Sequence, residues 1–136
     1  MLFVDSSAWY AAADRGDTCH SRATEQLSLT DQFVTSDYVL VETWLLLRHR
    51  LGFDVAQAFW AGLRAGAAIL EAVSPADLEV AWTIAAHFSD QPFSLVDCSS
   101  FALMQRLGVH RAVSFDDDFA IFRYGPRRDR AFEILR

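Results

Sequence analysis

Four acidic residues in this chain stand at places where a fold could put them to use. Asp5 ends the apolar run Leu2-Phe3-Val4, Glu42 lies inside the apolar stretch Tyr38 to Leu47, Asp97 closes Ser94-Leu95-Val96-Asp97, and Asp116 follows Ala112-Val113-Ser114-Phe115. Carboxylates about 4 Å apart repel by roughly 4 kcal/mol per pair at an effective dielectric near 20, so a fold that gathers them needs compensation. Hard divalent cations supply it: Mg²⁺ or Mn²⁺ takes oxygen ligands, keeps several waters and is held by a few carboxylates. Such an ion lowers the pKa of a bound water and offsets charge building on a phosphate during in-line displacement. The chemistry implied is phosphodiester hydrolysis.

Each acid also has a plainer role open to it. Asp97 could complete a capping box with Ser94, and Asp116 could cap a short helix through Asp118 and Phe119. Asp5 could be a turn residue. Glu42 could be a surface residue on an apolar helix, paired with Arg48 or Arg50.

The elements that would carry these acids decide between the readings. Leu2-Phe3-Val4 reads as a buried strand that delivers Asp5 to its edge, followed by a short helix over Ala8 to Ala13 and the turn Asp14-Arg15-Gly16-Asp17. An amphipathic helix is expected within residues 18–29, where Ala23 and Leu27 share a face. Gln32-Phe33-Val34-Thr35-Ser36 is a second strand ending in hydroxyl residues suited to capping. The helix Asp37 to Arg50 is apolar on nearly all sides, as in a helix at the centre of a fold or at an interface. Gly52 ends it. Asp54 and Gln57 then suggest a capping-box variant stapled by Phe53, and that helix ends near Gly66.

Ala68 to Val73 is a third strand, and Ser74-Pro75-Ala76-Asp77 starts a helix over residues 75–88. Ser94 starts another, which Gly108 stops. Ala112 to Phe115 is a fourth strand, and Phe132-Glu133-Ile134-Leu135 an edge strand after the turn at Gly125-Pro126. Strands alternating with helices, with no repeat, linker or low-complexity tract, predict one α/β domain over residues 1–136 with a mainly parallel sheet. In such sheets strand ends and the helix starts that follow them share one edge, where ligands bind. All four acids would then converge there.

Composition narrows the setting. The 136 residues are 52% hydrophobic, enough for a core that buries roughly two-thirds of the unfolded surface. Glu42 interrupts the richest apolar stretch, so no membrane span is expected, and the amino terminus lacks the basic region of a secretory signal. A cytoplasmic location follows as an expectation. Cys19 and Cys98 have neither C-x-x-C nor Cys/His ligand spacing and are expected to be reduced and structural. Net charge is −6, against a nucleic-acid binder on its face, yet all 12 basic residues are Arg, the better bidentate partner for phosphate. The absence of Lys excludes any mechanism that needs a catalytic lysine.

With Val4-Asp5-Ser6-Ser7-Ala8, Glu42 in its apolar helix, Ser94-Leu95-Val96-Asp97 and Ser114-Phe115-Asp116-Asp117-Asp118-Phe119 in this order and spacing, the chain resembles the PIN-domain ribonucleases over essentially its whole length. Within them it is most similar to the VapC-type toxins of bacterial toxin–antitoxin pairs. The resemblance implies a three-layer α/β/α sandwich, a Mg²⁺- or Mn²⁺-dependent endoribonuclease acting on RNA, a homodimer and a small cognate antitoxin. It carries the metal-site and catalytic role onto Asp5, Glu42, Asp97 and Asp116, adds Asp118, and leaves out Asp117. Ser6 and Ser114 stand where the family often has Thr, and the hydroxyl is retained. Ser7 and Ser114 are placed to orient a carboxylate or a metal-bound water.

Other features divide between readings. Arg127, Arg128 and Arg130 suit RNA phosphates, an antitoxin, or simply a solvated charge run. His20, His49, His87 and His110 are scattered at no ligand spacing. Trp9, Trp44, Trp60 and Trp82 with 11 Phe exceed what one core readily holds, which sends some of them to a dimer or antitoxin surface. A phosphoaspartyl phosphatase of the haloacid dehalogenase type wants a second Asp two residues after the first, where this chain has Ser7. A receiver domain wants a Lys. A housekeeping PIN-domain nuclease and a non-catalytic PIN-like scaffold remain as alternatives, the intact acids speaking against the scaffold.

Overall fold

Leu2, Phe3 and Val4 form β1, and none of the three exposes any surface. A strand that is apolar at every position is covered on both faces. In the computed structural model, which describes residues 1–136, β1 (Leu2–Val4) is the middle strand of five. The others are β2 (Phe33–Ser36), β3 (Ile69–Glu71), β4 (Arg111–Val113) and β5 (Glu133–Leu135). The order is β3-β2-β1-β4-β5, every pairing is parallel, and Phe3 lies opposite Val34 on one side and Ala112 on the other.

Parallel neighbours need crossovers. α1 (Ser6–Ala13) and α2 (His20–Leu27) join β1 to β2, and α3 (Asp37–Leu51) and α4 (Phe53–Arg64) join β2 to β3. α5 (Pro75–His87) and α6 (Leu95–Leu107) lead to β4, and α7 (Asp117–Ile121) leads to β5. α1 packs on α2 and α3, α3 on α4, α5 on α6, and α6 on α7. Helices on both faces of the sheet make the three-layer α/β/α sandwich expected from the sequence. The chain steps outward from β1 to β3, then returns to lay β4 on β1's other side. That reversal opens a crevice at the carboxyl ends of β1 and β4, the usual ligand position in open α/β sheets.

Helix starts follow local chemistry. Ser36 Oγ accepts the Val39 amide at 3.0 Å and begins α3 directly from β2. Ser74 and Asp77 form a reciprocal capping box with Pro75 at the first helical position, and Ser94 and Asp97 form another. Asp77 is further held by Arg106 Nε at 2.8 Å. Gly108, at φ +66°, ends α6 in the left-handed region. The expected cap at Asp54 does not form. Gly52, at φ +101°, ends α3 and begins α4 with no intervening residue, and the Gln57 side chain instead accepts the Trp44 indole N–H at 3.0 Å. β4 is also shorter than expected, its ladder ending at Val113.

Most of the aromatic residues lie in the core or pack against it. Phe3, Phe101, Phe119, Phe122 and Phe132 are buried, and Phe101 stacks on Phe122 at 4.3 Å and 7° and meets Phe119 edge-on at 4.9 Å. This cluster fastens α6 to α7. Only Trp60, Trp82 and Phe53 stand exposed among the Trp and Phe residues, so the surplus inferred from composition is smaller than expected. α3 answers to both expectations: Val39, Leu40 and Leu47 are buried while Val41 and Leu45 are exposed. No helix is long and apolar enough to cross a membrane. Both cysteines are free thiols.

Candidate metal centre

Asp5 is both the residue after β1 and the N-cap of α1, and its amide donates to Val113 O of β4 at 3.1 Å. It therefore sits in the crevice where the strand order reverses. The carboxylate is only 2% exposed. Its Oδ2 accepts from Ser7 Oγ at 2.8 Å, from Ser114 Oγ at 3.1 Å and from the Ser7 amide at 3.4 Å. Each hydroxyl has one proton to give. Ser7 Oγ accepts the Phe115 amide at 2.9 Å and Ser114 Oγ accepts the Asp116 amide at 3.1 Å, so both are oriented to donate to Asp5. Ser6 Oγ lies 3.4 Å from Asp5 Oδ1 but makes its short hydrogen bond to Glu42 Oε1. Oδ1 of Asp5 is thus the oxygen left for a ligand.

The same division of labour recurs. Asp97 Oδ2 accepts the Ser94 amide at 3.0 Å and completes the capping box, while the carboxyl group also meets the Asp118 side chain. Asp116 Oδ1 accepts the Asp118 amide at 3.0 Å and caps α7, leaving Oδ2 free. The capping and metal-site readings of Asp97 and Asp116 are therefore compatible: one oxygen holds the helix, and the other faces its neighbours. Asp97, Asp116 and Asp118 each offer an oxygen within 4.8 Å of the others.

Such proximity costs roughly 3 to 4 kcal/mol per pair if all are charged at an effective dielectric near 20, and the acidities record it. Burial pushes Asp5 up to about 6 despite the pull of the Ser7 hydroxyl, with the charge on Asp97 adding to the rise. Burial pushes Asp97 up to about 7, with the charges on Asp116 and Asp118 adding to it. Asp118 is raised as well, by burial and then by Asp116. An all-oxygen set of this kind, partly desolvated and mutually repelling, fits a hard divalent cation and offers no soft ligand for other metals.

Residues 2–123 match the family model described as PIN domain. The chain belongs to the PIN-domain family. Among PIN relatives it is 38% identical over 122 residues to the 23S rRNA-specific endonuclease VapC20 of Mycobacterium tuberculosis, covering 88% of this chain and 92% of that protein. It is 28% identical over 116 residues to Ribonuclease VapC26 of the same species, covering 85% and 86%. The crystal structure of VapC20, described as a sarcin–ricin loop cleaving toxin, superposes with a TM-score of 0.82 over 88% of this chain and 93% of that one, at 36% identity. FitAcB from Neisseria gonorrhoeae shares the fold alone, with a TM-score of 0.64 at 12% identity over 100% of this chain and 97% of that one. These similarities place the chain with the VapC-type PIN proteins.

Within this PIN fold the acids singled out in the sequence divide into a tight group and two flanking residues. Asp118 belongs to the tight group with Asp97 and Asp116. Asp5 adjoins it closely enough for its charge to act on Asp118, and Glu42 is joined through Ser6. Asp117 points elsewhere, accepting from Arg136 Nη1 at 2.9 Å. Arg127, Arg128 and Arg130 are not at this site. Their loop leads into the start of β5, next to His110 at the start of β4 and bridged to Tyr124, so it lies at the opposite edge of the sheet. Arg128 Nη2 is 2.8 Å from His87 Nδ1 there. Ser6 was the contact that the sequence did not disclose. The two adjacent hydroxyls after Asp5 were visible, but the partner of the first lies 36 residues away.

Proposed function

We propose that this protein is an endoribonuclease that hydrolyses RNA phosphodiester bonds with a bound Mg²⁺ or Mn²⁺, and that it is the toxin of a toxin–antitoxin pair. The observation that carries the reading is the group of Asp97, Asp116 and Asp118 oxygens within 4.8 Å of one another at the β1/β4 crevice, with Asp5 beside it. Asp5, Asp97, Asp116 and Asp118 would hold the cation through the oxygens not spent on caps and serines, with Glu42 at the rim. When bound, the cation activates water for attack and offsets charge on the phosphate. Ser7 and Ser114 hold Asp5 in one rotamer, and Ser6 holds Glu42, so the ligand oxygens are fixed before substrate arrives. No residue of the set is a histidine, so a carboxylate would have to take up the proton released by the attacking water.

The names of VapC20 and VapC26 support an RNA substrate, and the sarcin–ricin loop of 23S rRNA is the first one to try. The description of the VapC20 structure as a toxin supports the toxin assignment, and with that assignment go a cytoplasmic site of action and a small antitoxin. The exposed Val41 and Leu45 of α3, which line a groove of about 660 Å³ together with Tyr38, Leu46, Leu95 and Val96, suit a homodimer or antitoxin contact. The reading of residues 1–136 as one domain is supported by the single sheet that β1 to β5 share.

The test is cleavage of a sarcin–ricin loop RNA by purified protein with Mn²⁺, compared with Asp5→Asn, which removes a ligand charge at nearly constant volume. Cleavage by the wild type alone is expected; equal cleavage by both sinks the assignment. Growth arrest on expression, relieved by a small neighbouring gene, tests the toxin role separately.

A further inference from the structure

A second cavity opens beside the acids, between α1, α3 and the β4–α7 loop. It measures about 400 Å³, and Ser6, Ser7, Glu42 and Asp116 form one wall. The rest includes Tyr10, Arg50 and Phe115. The volume falls within the range of about 300 to 1,000 Å³ typical of small-ligand sites. We propose that this cavity seats the ribonucleotide adjoining the scissile bond, with Arg50 gripping a backbone phosphate. This inference rests on the RNA-cleaving reading above and names how that site holds its substrate.

The electrostatic argument comes first. The chain carries a net charge of −6 and concentrates carboxylates at the crevice, yet the proposed substrate is a polyanion. Arg50 is the one cationic residue in the cavity wall, which also contains Glu42, Asp116 and Asp17. The chain's side-chain ion pairs use Arg106, Arg111 and Arg136, not Arg50. Glu42, the partner the sequence suggested for it, takes its hydrogen bond from Ser6 instead. The guanidinium hydrogen-bonds the Tyr10 hydroxyl and acts on the Asp14 carboxylate, but it forms no ion pair, and its remaining donors are available to a phosphate.

It is also held in place. Its central carbon lies 5.1 Å from the centre of the Tyr10 ring, within cation–π range. Tyr10 is itself buried, and its hydroxyl donates to Asp14 Oδ2 at 2.7 Å. Phe115 supplies an aromatic wall of the kind on which unpaired bases stack, with its backbone amide fixed to Ser7 Oγ. A plainer account makes Arg50 a cation in the last turn of α3, where it favours the helix dipole. Arg48 shares that last turn, but its guanidinium lies over Trp44 and Phe53 and away from the cavity wall. The pair separates the two accounts.

The experiment measures binding of a fluorescein-labelled sarcin–ricin hairpin by anisotropy without divalent metal, and steady-state cleavage with Mn²⁺, for wild type, Arg50→Gln, Arg50→Lys and Arg48→Gln. Arg50→Gln is expected to weaken binding and raise KM about tenfold, the worth of one charge-assisted contact, with kcat and Mn²⁺ affinity within about threefold. The slope of log Kd against log salt should fall by about 0.7, one phosphate for a single strand. Arg50→Lys should recover part of the binding, and Arg48→Gln should match wild type. Wild-type Kd, KM and salt slope in a folded Arg50→Gln overturn the proposal, as does an equal loss in Arg48→Gln. Loss of binding in Arg50→Gln where even the wild type fails to cleave would support the cavity and defeat the hydrolase reading; a wild type that binds no RNA would defeat both.

Discussion

The Ser6 hydroxyl donates to the Glu42 carboxylate, tying the first turn of α1 to the middle of α3. Ser6 and Ser7 are consecutive in α1, about 100° apart around the helix, so one hydroxyl serves Glu42 and the other Asp5. Two neighbouring residues thus orient two acids from different elements.

Removing that tie should loosen Glu42 without unfolding the protein. Ser6→Ala is expected to lower Mn²⁺ affinity or cleavage about tenfold to a hundredfold, as loss of such a supporting contact commonly does. Ser6→Thr, which keeps the hydroxyl, should stay near wild type. Titration calorimetry with Mn²⁺ and cleavage rates decide it. If Ser6→Ala and wild type bind and cleave alike, Glu42 needs no tether.

Proton binding at the acids makes a prediction about stability. The folded pKa of Asp5, about 6, stands above its unfolded value of 3.8, and that of Asp97 is about 7. The metal-free folded state therefore binds protons that the unfolded chain has released across about pH 4 to 7. The resulting stability is fully present below pH 3.8 and is lost as pH rises through 6 and 7. For Asp5 alone the rise from 3.8 to about 6 corresponds to about 3 kcal/mol. Asp77, whose pKa Arg106 lowers, titrates below this window. Thermal melts of metal-free protein should show a Tm at least about 5 °C higher at pH 5 than at pH 8, and Mn²⁺ should erase the difference. A Tm that is flat or rising from pH 5 to 8 would contradict this account of the site.

Asp118 sharpens the same point. Its side chain has no cationic partner and faces Asp97 and Asp116. Asp118→Asn should make the metal-free protein more stable at pH 8, by about 1 kcal/mol once solvent screening of this half-buried residue is allowed for, while weakening Mn²⁺ binding and cleavage. Denaturant melts with and without Mn²⁺ measure both effects. A variant less stable than wild type in both conditions would show that Asp118 is structural.

What the sequence disclosed, and what it did not, follows from the range of each signal. Asp5, Ser94 with Asp97, and Ser74 with Asp77 announce themselves within four residues, because strand ends and helix caps are local chemistry. The membership of Asp118 depends on α7 being a helix from Asp117, which turns it toward α6; alone it was one of three consecutive acids. The link from Ser6 to Glu42 depends on how α1 packs on α3, which no local pattern encodes. Arg127, Arg128 and Arg130 are conspicuous in the sequence, yet β5 runs parallel to β1 and the loop entering it must lie at the far edge. Arg50 carried no such signal, one arginine among others at a helix end.

The aromatic core gives the last prediction. Phe101 lies one helical turn after Asp97, and Phe119 directly follows Asp118, so the edge-on contact of their rings at 4.9 Å sets the spacing of two acids. Phe132 belongs to the same cluster, 4.9 Å from Tyr124, but enters from the segment before β5. Phe101→Leu and Phe132→Leu should each destabilise the fold by about 1 to 3 kcal/mol. Only Phe101→Leu should also weaken Mn²⁺ binding, by about tenfold, because only it frees α6 to shift against α7. Denaturant melts paired with Mn²⁺ titrations separate the two effects. If both variants lose Mn²⁺ affinity in proportion to their lost stability, the cluster merely holds the fold; if only Phe101→Leu does, the core sets the geometry of the acids.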